Sequence, residues 1–258
     1  MHIVGWFIYK GKLNNFEALL NDLKLFGLQA LEKIDFGVYS GVVTLDGDDY
    51  FFIDKMGLSI HFLFKQDEKV IISAALQKIK DNFALTVSSV HESILQKRGH
   101  LFGPCTQCQG VTCIPPGGIV SLNNGEIVSK KSLASLISPT SNQLEQVPSK
   151  IKSLIKLIPE QKRCLALSGG FDSRLILSQD DMQGGYCYGP KNSADRPIAR
   201  QFKANFKNFY EFDGALATSK DVEVFDFLVE SHRKYNDPHF ISAYHTAFEL
   251  TKKFRFLF

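Results

Sequence analysis

No stretch of this sequence approaches the roughly 18 to 20 consecutive apolar residues that span a bilayer. The amino-terminal MHIVGWFIYKGK breaks at Lys10 and Lys12 without a signal-like apolar run and cleavage site. A soluble, cytoplasmic protein with no membrane partner is expected. Charge of one sign is also missing: a net charge of +3 and a pI near 8.5 do not make the concentrated basic stripe that nucleic-acid binding needs. Cysteine is scarce and odd in number, with Cys105, Cys108, Cys113, Cys164 and Cys187 in no disulfide-rich framework, so reduced thiols are expected. Cys105 and Cys108 form a CxxC, but a zinc site would want a second ligand pair, and Cys113 has no histidine at useful spacing. The late histidines His232, His239 and His245 match no ligand motif. The Walker pattern GxxxxGK[ST] is absent as well, which removes the main support for a γ-phosphate kinase or GTPase.

What is present is an ordinary globular mixture, 44% hydrophobic and 22% charged, in 258 residues, enough for one large domain or two ordinary ones. The first half reads as short strands closed by turns. GVYSGVVTL, the turn DGDD at 46–49 and YFFID make one hairpin; HFLF, the polar QDEK and VIISAAL make another. A third is signalled where IVSL meets Asn123, Asn124 and Gly125 before EIV, because Asn-Gly tolerates the positive φ angles of a tight turn. Helices are expected at about 14–26, with Phe16, Leu19, Leu20 and Leu23 on one face, and at about 88–98, with Val90, Ile94 and Leu95.

Around 129–148 the composition turns to Ser, Pro, Thr, Asn and Gln, and the domain boundary is expected near 139, dividing the chain into 1–138 and 139–258. Beyond it SKIKSLIKLI sets Ile151, Leu154, Ile155 and Ile158 on one helical face and Lys150, Lys152 and Lys156 largely on the other, as a solvated face. The apolar run CLALS, a glycine pair, the helix-like FDSRLILSQ and a second apolar run, YCYG, then read as strand, loop, helix and strand. That order is a βαβ unit, so an α/β fold with a parallel sheet is expected here.

The loop between that first strand and helix, SGGFDS, carries the chemistry. Polyphosphate is met by backbone N–H groups in a tight loop. Gly169 and Gly170 lack a Cβ, so the backbone can take unusual angles and approach phosphate oxygens closely. Ser168 and Ser173 add hydroxyls at either end. Asp172 would repel a polyphosphate directly, so its natural task is to hold Mg²⁺ bridging the phosphates. A glycine turn before a helix is common, but S-G-G-x-D-S arises by chance in a chain this long with a probability of only about 10⁻⁴ to 10⁻³.

At these residues the sequence resembles the PP-loop ATP pyrophosphatases. The first half resembles the amino-terminal, glutaminase-like domain of the asparagine synthetase family: FIDKMGLSIHFLF, VIISAAL and VTCIPPGGIVSLNNGEIV place Asp54, Gly57, Ser73, Pro116 and Gly117 in that family's order. The resemblance implies an α+β Ntn-hydrolase-like first domain, then a partial doubly wound parallel-sheet PP-loop domain. It further implies ATP and Mg²⁺ as cofactors, and attack of a carboxylate, from aspartate or a peptide, on the α-phosphate. The acyl-adenylate so formed is resolved by an amine into an amide, with AMP and pyrophosphate released. Ser168, Gly169, Gly170, Asp172 and Ser173 carry over to the phosphates, and the backbone of Leu167 and of Tyr188 to Gly189 is expected near the base.

Two departures from the family pattern shape the expectation. Glutamine-using members carry a nucleophilic cysteine after the initiator methionine, where this chain has His2, so no glutaminase activity is expected from the first domain. Relatives also continue through a helical stretch with a Gly-Asp-Glu motif and a later lysine. Here KKFRFLF sets Phe254, Phe256 and Phe258 in strand-like alternation at the end. A truncated chain is expected, either completed by a partner chain or serving as a catalytically silent scaffold.

Overall fold

A computed structural model describes residues 1–98, 100–130 and 144–213. These fall into two compact units, one up to residue 130 and the other from residue 144, and both mix helices with strands. The expected boundary at 139, the late histidines and the KKFRFLF segment lie outside the described residues.

The first unit runs β1 (His2–Tyr9), β2 (Lys12–Leu13), α1 (Phe16–Phe26), α2 (Gln29–Glu32), β3 (Phe36–Leu45), β4 (Asp48–Ile53), β5 (Phe62–Gln66), β6 (Lys69–Ser73), α3 (Leu76–Asn82), α4 (Ser89–Arg98), β7 (Val111–Cys113), β8 (Ile119–Ser121) and β9 (Ile127–Ser129). The strands form two antiparallel sheets, ordered β2-β1-β3-β4-β8-β9 and β6-β5-β7.

The two-residue period of a strand decides what each sheet face meets. Phe52 and Ile119 point with Phe7, Tyr9, Tyr39 and Val43 toward Leu19 and Leu23 of α1 and Ala30 and Leu31 of α2. Their neighbours Phe51, Ile53 and Val120 point the other way, onto Leu63 and Ile114. On β5, Leu63 faces that inter-sheet core, while Phe62 and Phe64 face Ile79 of α3 together with Cys108, Val111 and Cys113. The layers of this unit are therefore helix, sheet, sheet, helix. The hairpin expected at Asn123–Gly125 forms between β8 and β9: Gly125 takes φ +68° and its N–H donates to the Ser121 carbonyl at 2.8 Å.

The second unit runs α5 (Val147–Lys156), β10 (Cys164–Ala166), α6 (Phe171–Leu177), β11 (Met182–Gly189), α7 (Asp195–Gln201) and β12 (Phe206–Asp213). Its three strands are parallel, ordered β10-β11-β12, around Leu165, Leu167, Met182, Cys187, Ala199 and Phe206. On α5, Ile151 and Ile155 pack on this core and the three lysines stay exposed, as their spacing predicts. Leu154 and Ile158 are about two-fifths exposed, so only half of the apolar stripe is used among the described residues.

Several elements differ from the sequence expectation. VIISAAL ends as a strand at Ser73, whose hydroxyl accepts the Ala75 N–H at 3.1 Å, and the chain then enters α3. CLALS is a strand only to Ala166. YCYG is the last half of an eight-residue strand.

Candidate functional site

The site is built where β10 ends. Leu167 is buried and extends the ladder by one bond, its N–H donating to the Tyr186 carbonyl at 2.7 Å. The chain then leaves the sheet through Ser168 to Gly170 and enters α6 at Phe171. All three amides of that turn are engaged within the protein. The Ser168 N–H donates to Ser173 Oγ at 3.2 Å, the Gly169 N–H to Asp195 Oδ1 at 2.8 Å, and the Gly170 N–H to Ser168 Oγ at 3.1 Å. The two serine hydroxyls also lie 3.2 Å apart. Ser173 is buried and braces the turn, whereas Ser168 stays open to solvent.

Unusual backbone angles are not what the glycines supply. Neither Gly169 nor Gly170 has a positive φ, and Gly170 is extended at φ −76°, ψ 160°. Gly169 serves close approach: a Cβ there would stand 2.6 Å from Asp195 Oδ1 and 3.0 Å from Ile198 Cδ1. Asp172 sits exposed in the first turn of α6. Phe171 beside it is 82% exposed, with the Arg174 guanidinium over its ring at 4.6 Å.

A cavity of about 350 Å³ opens beside the loop at the carboxyl ends of β10 and β11. Leu167 and Ser168 line one side, and Tyr188, Gly189, Ser193 and Asp195 the other. The structure thus brings Leu167, Ser168, Tyr188 and Gly189, the residues expected at the base and the phosphates, around one cavity. Gly169 and Gly170 lie in the adjoining turn, and Asp172 and Ser173 in the first turn of α6 that follows it.

Of the charged groups on α7, Asp195 lines this cavity, and Arg196 and Arg200 engage the strands beside it. Arg196 is buried, and its Nη2 lies 2.7 Å from the Gly189 carbonyl, 2.6 Å from the Phe212 carbonyl and 2.7 Å from Asp213 Oδ1. Its Nε is buried without a partner, a cost accepted to hold the ends of β11 and β12 together. The Arg196 hydrogen bond keeps the Asp213 carboxyl below the usual range, and the forked pairing with Arg200, at 2.8 and 2.7 Å, does the same for Glu211. Burial pushes the Cys164 thiol up to about 11 and raises that of Cys187, so both are protonated at neutral pH and neither is a ready nucleophile.

In the first unit, Asp54, Gly57, Pro116 and Gly117 meet in one knot. Asp54 is fully buried, and its carboxylate accepts the N–H groups of Met56 and Leu58 at 3.0 Å and of Ser59 at 2.7 Å. Its carbonyl accepts those of Gly57 at 3.0 Å and Gly117 at 2.8 Å, and Gly57 packs on the Pro116 ring. Ser73 is engaged separately with Ala75. His2 is exposed at the start of β1, opposite Val42. Among the described residues no group of three or more His, Cys, Asp or Glu is arranged to hold a metal ion, and no helix is long and apolar enough to cross a membrane.

Ser193, Asp195 and Arg196 were missed in the sequence. NSADRP does mark a helix start, with Ser193 Oγ accepting the Asp195 N–H at 3.2 Å and Pro197 in the first turn. No local pattern, however, says that Asp195 reaches back 26 residues to Gly169. Compared with known proteins, the chain matches no family model and no curated protein sequence.

Proposed function

We propose that residues 164–213 form the nucleotide part of an ATP pyrophosphatase site of the asparagine synthetase kind. On this reading the chain takes part in ATP-dependent amide formation through an acyl-adenylate, with AMP and pyrophosphate released. One observation carries the reading: the SGGFDS turn follows a parallel strand and adjoins a cavity at the carboxyl ends of two such strands, the place where open parallel sheets take ligands. Leu167 and Gly189 offer backbone at the two strand ends, and Ser168, Gly169 and Gly170 form the turn that meets the phosphates. Ser173 fixes that turn from below. The exposed carboxylate of Asp172 suits Mg²⁺, which when bound with ATP neutralises charge on the phosphates. The substrate acid would be aspartate or a peptide carboxylate. The helix, sheet, sheet, helix layering of the first unit and its Asp54 knot support an Ntn-type, glutaminase-like ancestry for that unit, and the exposed His2 supplies no thiol for glutamine.

A second reading, nucleotide binding without turnover, is favoured by one feature: the Gly169 amide is already taken by a carboxylate of the protein itself. Incubating the chain with ATP, Mg²⁺ and aspartate or candidate peptides, with an amine supplied, separates the two. Release of AMP and pyrophosphate establishes the first. Tight Mg-ATP binding without AMP leaves the second. Mg-ATP affinity that is unchanged in Asp172→Ala removes Asp172 from the metal site, and no Mg-ATP binding by the unaltered chain ends both readings.

A further inference from the structure

We infer that Asp195 is the positioning residue of the Ser168–Ser173 turn: its carboxylate holds the Gly169 amide and so sets how the turn faces the cavity. Of the three acceptors that satisfy the turn amides, Ser168 Oγ belongs to the turn itself and Ser173 Oγ to the helix that directly follows it. Asp195 alone comes from a distant part of the chain, and its bond, at 2.8 Å and with a charged acceptor, is the shortest of the three. The approach is close: a Cβ on residue 169 would stand 2.6 Å from Asp195 Oδ1, so the carboxylate would have to shift off the Gly169 amide to admit one.

Asp195 can hold the turn because its own backbone is held. Its N–H donates to Ser193 Oγ at 3.2 Å, and the next residue, Arg196, is buried and ties the Gly189 and Phe212 carbonyls to the same helix. Adjacent residues of α7 thus act in opposite directions, Asp195 on the turn after β10 and Arg196 on the ends of β11 and β12. Both walls of the cavity, Leu167–Ser168 and Tyr188–Gly189, are referred to one helix start. Asp195 is itself exposed, and the hydrogen bond its carboxylate makes among the described residues goes to the turn.

The test has one measurement free of any ligand and one that rests on the nucleotide reading above. In the whole, ligand-free chain, amide exchange at Gly169 is followed by NMR. Asp195→Ala should speed it by about tenfold, as expected for loss of a charge-assisted bond, while Asp195→Asn, which keeps an oxygen acceptor, should restore it to within about threefold. Mg-ATP affinity, and that of inorganic pyrophosphate, should fall by about tenfold in Asp195→Ala and recover in Asp195→Asn. Unchanged exchange in Asp195→Ala overturns the inference, and so does faster exchange with undiminished Mg-ATP affinity. If the unaltered chain binds neither Mg-ATP nor pyrophosphate, the nucleotide reading fails and the exchange result decides the inference by itself. Should Asp195→Ala fail to fold, Gly169→Ala displaces the carboxylate from the other side. Its thermal destabilisation should shrink when combined with Asp195→Asn or Asp195→Ser, and strict additivity overturns the inference.

Discussion

Asp54 has no exposed surface, so its carboxylate has lost the water that would otherwise solvate it. Three backbone N–H groups within five residues do that work instead, converting Met56 to Ser59 from a free loop into a closed ring around the carboxylate. Asp54→Ala removes the acceptor of three part-buried N–H groups, two of them on the exposed residues Met56 and Leu58, where water can partly replace it, so the unfolding free energy should drop by about 1 to 3 kcal/mol with an unchanged urea m-value. His61 stands beside this knot, with its Nδ1 3.2 Å from the Ser59 carbonyl and its ring against Phe51. Burial lowers its pKa, and the bond to Ser59 and the Asp54 charge offset this only in part. Because the unfolded imidazole titrates near its ordinary value of about 6.5, acidification below that value protonates the unfolded chain before the folded one, and stability is lost as pH falls. Denaturant melts between about pH 7 and 5 should therefore show a steeper loss for the unaltered chain than for His61→Phe, which has no proton to take up.

The elements show why some positions carry the fold and others do not. Phe52, on β4, is 1% exposed and sits among Tyr39, Val43 and the helix residues Leu19 and Leu23, so Phe52→Ala should cost about 3 to 5 kcal/mol. Val4 on β1 is 62% exposed, and Val4→Ala should stay within about 0.5 kcal/mol. Urea denaturation of both variants checks the contrast. The same elements mark the limits of reading the sequence. β5 and the Asn-Gly turn after β8 were legible because a short apolar run closed by a polar turn, and a positive φ, are local demands. β1 was not, because Ile3, Val4, Trp6, Phe7, Ile8 and Tyr9 are apolar on both faces and the run shows no alternation. α3 was hidden because only Ile79 of its seven residues is buried, and its start is fused to the apolar end of β6. The pairing of β4 with β8 is decided by partners more than sixty residues apart, which no window of sequence contains. At the site the contrast is sharper. SGGFDS is contiguous and could be seen, whereas Asp195 acts only through the parallel register that brings α7 over the turn.

For the molecule as a whole, the decisive fact is that the two units have separate cores, one set around Phe7, Phe52 and Phe62 and another around Leu165, Met182 and Phe206. A ligand that binds only the folded form stabilises it by RT ln(1 + [L]/Kd), about 2.7 kcal/mol at a hundredfold excess over Kd. If Mg-ATP occupies the cavity beside Ser168, that stabilisation enters through the second unit, because every residue lining the cavity belongs to it. Hydrogen exchange followed peptide by peptide should then slow across 164–177 and 186–196 when Mg-ATP is added, while peptides covering the Asp54 knot and the Phe52 strand keep their rates. Asp172→Ala should remove the Mg²⁺-dependent part of that protection, leaving the weaker effect of metal-free ATP. Protection that instead centred on residues 54–61 or 111–118 would move the nucleotide site to the other unit. The parallel-sheet turn would then be a structural connection, in which Gly169 answers to the close approach of Asp195.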